Sequence, residues 1–316
     1  MYYTEKEIMN RIIELKEQCG DKFIIDSLEK NILDTKSSYL SSQFVKNIKG
    51  SNIKAHEQVV IENTKGPYEK RISNNIMVVN DKNPIYNYYF AAFVPDSDIK
   101  AHEQAIIDSK NPELCYRFAV DVKGSDRKKL EQVIINSGDP KCNYLYSKHF
   151  KYCDVKEHGR VVINSKDPKW NCLFAANIIG ADIDKHEQVV RESKDPKWAY
   201  EFIRRIPESD VEKFKDIIVD SKNLEYCLKT SRDIPGIDKK ELAEVIIKSK
   251  NLPYNLLYSM EVKGADKKSH YQVFLENANA KDLEVYQNDI GVPKDMGINK
   301  KRSKRLVKEI NNVIKR

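Results

Sequence analysis

The sequence predicts an all-α protein, a right-handed α-solenoid of about nine two-helix repeats with capping helices. Three observations predict it. Ser109, Ser137, Ser165, Ser193, Ser221 and Ser249 recur at an interval of 28 residues, and the first four are each followed three positions later by Pro112, Pro140, Pro168 and Pro196. Asp98, Asp126, Asp154, Asp182, Asp210, Asp238 and Asp266 keep the same interval of 28 without a slip. Apolar residues within each unit recur at helical rather than strand spacing.

Taken in chain order, the first element is a helix over residues 4–18, with Ile8, Ile12 and Leu15 on one face, which suits a cap on the first repeat. Residues 1–23 form this cap, residues 24–290 the repeats and residues 291–316 a basic amphipathic tail. In a typical unit Asp182 caps helix A, whose apolar face runs through Ile183, His186, Val189 and Val190. Asp195 then caps helix B, with Pro196 at its first position, where the missing N–H costs nothing. Helix B runs through Trp198, Phe202 and Ile206, and other units close it with Gly124, Gly180, Gly236 or Gly264. Helices of about ten residues cannot stand alone, so each must bury a face on its neighbours. Upstream, Asn52 and Asp98 lie 46 residues apart, which reads as two units short by ten. A degenerate unit lacking its second helix is therefore expected near residues 63–70.

Two antiparallel helices per unit, carried by Gly180-Ala181-Asp182 through Ser193-Lys194-Asp195-Pro196, resemble the HEAT and leucine-rich-variant class of helical repeats over residues 24–290. The unit of 28 is shorter than a HEAT unit. The resemblance implies an extended surface for binding proteins or nucleic acids.

Charge is unevenly placed. The 316 residues carry 55 Lys and Arg against 48 Asp and Glu, yet residues 291–316 hold nine basic and two acidic side chains, the whole surplus of seven. The rest of the chain is balanced, so any polyanion should meet Lys300, Lys301, Arg302, Lys304 and Arg305. From Leu306 to Ile314 an apolar stripe at helical spacing predicts a helix that either caps the array or rests on an anionic membrane surface; the cap is preferred. No stretch approaches the 18 or so apolar residues of a spanning helix, and Met1 leads into no basic and apolar leader. An intracellular, cytoplasmic protein is expected, in a host cytoplasm or nucleus if the source is viral.

The chemistry candidates can be compared with their equivalents 28 positions away. His56, His102, His158, His186 and His270 share a column with Leu130, Phe214 and Leu242, so that position is read as packing. The six cysteines replace Trp, Asn, Tyr or Leu in neighbouring units and read as small apolar fillers, with no paired-knuckle zinc spacing. Phosphate loop, GxSxG and HExxH patterns are absent. No catalytic, cofactor or metal residue and no small-molecule substrate are expected. An aromatic column, Phe90, Phe118, Tyr146, Phe174, Phe202 and Tyr258, reads as core; another, containing Trp170 and Trp198, borders it. Trp170 and Trp198, with Arg204, Arg205 and Arg232 projecting from successive B helices, are the candidate partner contacts. The expected function is a non-enzymatic protein-interaction scaffold, adaptor or inhibitor. The alternative is non-specific nucleic-acid association through the tail.

Overall fold

The computed structural model describes residues 3–19, 22–65, 69–73, 76–80 and 83–277. The described residues contain eighteen helices, and the protein has the all-α repeat architecture, packed through consecutive helix pairs. The chain divides into two compact units, Met1–Ser165 and Lys166–Arg316.

The recurring residues build the turns. Where the serine recurs at the end of a helix A, its hydroxyl donates to the carbonyl three residues back, as Ser109 does to Ile106 at 2.6 Å and Ser249 to Ile246 at 2.6 Å. It also accepts the N–H two residues on, from Asn111, Asp139, Asp195, Asn223 and Asn251, at 3.1–3.2 Å. The residue bridged by these bonds turns left-handed: Lys110, Lys166, Lys194, Lys222 and Lys250 sit at φ of 53–54°, and Gly138 takes the same place at 71°. Next, Asn111, Asp139, Asp167 or Asp195 caps helix B ahead of its proline, and Asp98, Asp126, Asp154, Asp182 or Asp210 caps the following helix A.

In the first unit, α1 (Glu5–Cys19) buries Met9 and Ile12 in one cluster with Ile32, Leu40, Phe44 and Ile48. The A helices are α2 (Lys22–Thr35), α4 (Ile53–Lys65), α6 (Ile99–Asp108), α8 (Arg127–Ser137) and α10 (Val155–Asn164). The B helices are α3 (Ser38–Asn47), α5 (Ile85–Phe93), α7 (Pro112–Asp121) and α9 (Pro140–His149).

The expected degenerate unit proves to be a complete one with an insertion. The interval of 46 is one unit of 28 plus 18 residues, and both helices, α4 and α5, are present. Between them lie β2 (Glu69–Ser73) and β3 (Ile76–Asn80), antiparallel, with β1 (Tyr3–Thr4) parallel to β3 on its other side. Cross-helix bonds span the insertion in register: Glu57 accepts the Asp98 N–H across 41 residues, as Glu103 accepts that of Asp126 across 23. An insertion in the A-to-B turn leaves the packed faces in phase. A lost helix would not.

In the second unit, the B helices are α11 (Pro168–Asn177), α13 (Pro196–Arg205), α15 (Leu224–Asp233) and α17 (Leu252–Glu261). The A helices are α12 (Ile183–Glu192), α14 (Val211–Ser221), α16 (Lys240–Ser249) and α18 (Lys267–Asn277). In both units the B-helix ring column is core: Phe44, Phe90, Phe118, Tyr146, Phe174, Phe202 and Tyr258 are at most 1% exposed. Burying each contributes roughly 2–3 kcal/mol. No helix of the described residues is long and apolar enough to cross a membrane.

Candidate functional site

The expected partner contacts lie in the second unit and are less available than their sequence suggests. Trp198 is half-buried against the core, and Trp170 is half-buried too. A lysine lies over each ring, Lys169 at 4.5 Å from Trp170 and Lys197 at 5.1 Å from Trp198. Arg204 and Arg205 share one carboxylate, Glu201, at 2.7 and 2.8 Å. Arg232 spans Asp233 at 2.7 Å and Glu261 at 2.6 Å, and Asp233 accepts the Tyr200 hydroxyl at 2.6 Å. The B-helix ends of α13, α15 and α17 are thus a mixed-charge network that satisfies its own cations. The polyanion candidates Lys300, Lys301, Arg302, Lys304 and Arg305 lie outside the described residues.

A more open aromatic patch stands in the first unit. Phe93 is 62% exposed and Tyr89 is 38% exposed. With Tyr88 they form a cluster of rings 5.4–6.3 Å apart. Tyr89, Phe93 and Val94 line a shallow groove between α3 and α5 whose other wall is Ser42, Gln43 and Lys46. In the position of Phe93 other units carry Asp121, His149, Asn177, Arg205, Asp233 and Glu261. That column comparison was the signal for Phe93, an aromatic where every equivalent is polar.

The histidine column is packing, and it is also polar. His56, His102, His158, His186 and His270 are all fully buried. Each ring lies on the B-helix ring before it, from 5.3 Å for Phe90 on His102 to 4.4 Å for Tyr258 on His270; Phe214 stacks on Phe202 in the same way. Four of the histidines meet an asparagine fifteen residues earlier: Nδ1 is 2.9, 2.7, 2.7 and 2.9 Å from Oδ1 of Asn87, Asn143, Asn171 and Asn255. Where the histidine gives way to Leu130, Phe214 or Leu242, the asparagine gives way to Cys115, Ala199 or Cys227. A buried amide is kept only where a ring partners it.

The amide orientation follows from its other bonds. Asn143 donates through Nδ2 to Ile134 O at 3.0 Å and Asp139 O at 2.7 Å, and Asn255 does so to Ile246 O and Asn251 O at 2.9 Å. Oδ1 therefore faces the ring, Nδ1 carries the hydrogen, and Nε2 of the neutral ring is an acceptor. In the first unit a carboxylate faces that acceptor: Glu57 at 3.1 Å from His102 and Glu131 at 3.2 Å from His158. In the second unit, Nε2 of His186 and of His270 has no partner among the described residues. Burial holds His186 and His270 down at about 4, whereas Glu57 and Glu131 oppose the same lowering at His102 and His158.

Burial also pushes the thiols of Cys115, Cys142, Cys172 and Cys227 up to about 12, which keeps them protonated and unreactive. Cys153 is more open, and its sulfur, a Glu131 carboxylate oxygen and a ring nitrogen of His158 lie within 4.8 Å of one another. Comparison of single columns does not bring these three together, because each belongs to a different column.

No family model matches the chain, and neither a curated protein nor a solved structure does.

Proposed function

We propose that the protein is a non-enzymatic interaction scaffold acting inside the cell, and that it binds a protein partner through the exposed ends of its B helices. The observation that carries this reading is the Tyr89–Phe93 groove, an aromatic patch exposed at a position that is polar in every equivalent unit. Exposed rings held on a rigid helix are strong anchors because little conformational freedom is lost when they are covered. Lys46 at the rim favours a partner whose apolar side chain is flanked by a carboxylate. The buried histidines, each ring packed and most of them bonded to an amide, support a structural rather than a catalytic use.

Affinity purification of the full chain from its native cells, with nuclease treatment, tests the reading. A protein should be retained after nuclease and lost with Phe93→Ser. Retention of nucleic acid instead, lost on deletion of residues 291–316 and falling with log salt at a slope of about −6 for seven phosphates, would favour polyanion binding by the tail.

A further inference from the structure

We propose that Glu131, Cys153 and His158 form a zinc-class transition-metal site that ties α8, the α9–α10 turn and α10 together.

Asn143 Oδ1 can only accept, so the hydrogen of a neutral ring sits on Nδ1 and the Nε2 lone pair points at Glu131 Oε1, 3.2 Å away. That oxygen already accepts the Asp154 N–H at 2.7 Å. Two acceptors facing each other, one on a fully buried ring and the other on a carboxylate only 15% exposed, call for a cation between them, a proton or a metal ion. Cys153 supplies a third donor, with all three ligand atoms within 4.8 Å. A tetrahedral zinc with nitrogen, oxygen and sulfur ligands places them roughly 3.3–3.6 Å apart, so the ligand atoms need to move little. Imidazole, carboxylate and thiolate form a mixed set that suits zinc or cobalt better than magnesium or calcium.

The charge balance also fits. Binding releases to solvent the Cys153 thiol proton and the proton held between His158 and Glu131. Bonds then form from the ion to sulfur, nitrogen and oxygen, with solvent as fourth ligand. A dication with one thiolate and one carboxylate is neutral overall, so no net charge is buried. Asn143 acts as the outer partner that fixes the ring, the usual arrangement around a ligating histidine.

The repeat provides internal controls. Around His102 the same pair, Asn87 and Glu57, is present, but Ser97 stands at the position of Cys153. At His270 the Glu131 position holds Ala243, and the Cys153 position holds Ala265. Among the described residues only the layer at His158 combines all three donors.

The test uses full-length protein, reduced and stripped with chelator, titrated with Co2+ and then with Zn2+ against a competing chromophoric chelator. One Co2+ per chain should bind with the near-ultraviolet thiolate charge-transfer band and strong visible bands of a four-coordinate ion, and Zn2+ should displace it. Cys153→Ser should abolish the thiolate band and weaken Zn2+ binding by on the order of 100-fold or more. Its metal-free melting should be unchanged, since Ser97, Ser125 and Ser209 occupy that position elsewhere. Glu131→Gln, which keeps an acceptor for Asp154, should also weaken binding, and Ser97→Cys should create a second site at Glu57 and His102. No thiolate band in the natural chain, or Zn2+ affinity unchanged in both Cys153→Ser and Glu131→Gln, would overturn the proposal and leave a shared proton as the cation.

Discussion

In the first unit Glu29, Glu57, Glu103 and Glu131 each accept the N–H of the residue that opens the following helix A, at 2.5–2.7 Å, and three of them also meet a histidine ring. In the second unit the equivalent positions hold Glu187, Lys215 and Ala243. There Glu187 turns to Arg191 at 3.4 Å and Lys215 to Glu212 and Glu241 at 2.5 and 3.2 Å, while Phe214 and Leu242 close the seam with apolar contact. One backbone period is thus closed by two chemistries. The polar version adds directional ties between A helices; where Ala243 takes the place of the carboxylate, the Nε2 acceptor of His270 is unmet. The layers should therefore answer differently to acid and to mutation.

Acid should separate the His186 and His270 layers from the His102 layer most; His56 in the first unit, also held down at about 4 by burial, should behave like His186 and His270. A histidine held near 4 when folded and near 6.5 when unfolded contributes its full stability above pH 6.5. That contribution is lost as pH falls towards 4, because the unfolded chain binds the proton first. His186 and His270 should each cost on the order of 2–3 kcal/mol between pH 7 and pH 4.5. Glu57 opposes the lowering at His102, so the loss there should be smaller. Hydrogen exchange at pH 4.5 should show α17 and α18 opening before α5 and α6. Equal protection would break the comparison.

Mutation of the seam comes next. Asn255→Cys leaves the His270 Nδ1–H without an acceptor and should cost about 2–3 kcal/mol in denaturant unfolding. Adding His270→Leu copies the Cys227–Leu242 layer and should recover most of that loss, because both polar groups are then gone. A double variant no better than the single one would mean the layers are not interchangeable.

Smaller effects sharpen the contrast. Glu103→Ala removes only the Asp126 N–H acceptor, since Leu130 replaces the histidine there, and should cost about 1–2 kcal/mol. Lys222→Gly and Lys250→Gly should each stabilise the second unit by about 1 kcal/mol, because a left-handed φ of 53–54° strains a side-chain-bearing residue and Gly138 already fills that place in the first unit.

Most of the fold was legible because serine, aspartate and proline at fixed offsets each perform a local task that only one turn geometry needs. The insertion is hidden in the sequence because an interval of 46 has two decompositions, ten short of two units or eighteen beyond one. The presence of both α4 and α5, with the bond from Asp98 to Glu57 in register, decides between them. The asparagine–histidine layers leave a trace in sequence, Asn with His and Cys or Ala with Leu or Phe at a separation of fifteen, which comparison of one column at a time passes over. Glu131, Cys153 and His158 leave none, since their meeting depends on how two A helices and a turn pack. The arginines Arg204, Arg205 and Arg232 looked free in sequence because their carboxylate partners sit on neighbouring turns and helices.

The central claim is that buried asparagines fix the histidine rings and so set how each layer closes. Nitrogen-15 NMR of the imidazoles at pH 7 tests it most directly. The account predicts that His186 and His270 are neutral with the hydrogen on Nδ1. A hydrogen on Nε2, or a fully protonated ring, at either position would contradict it.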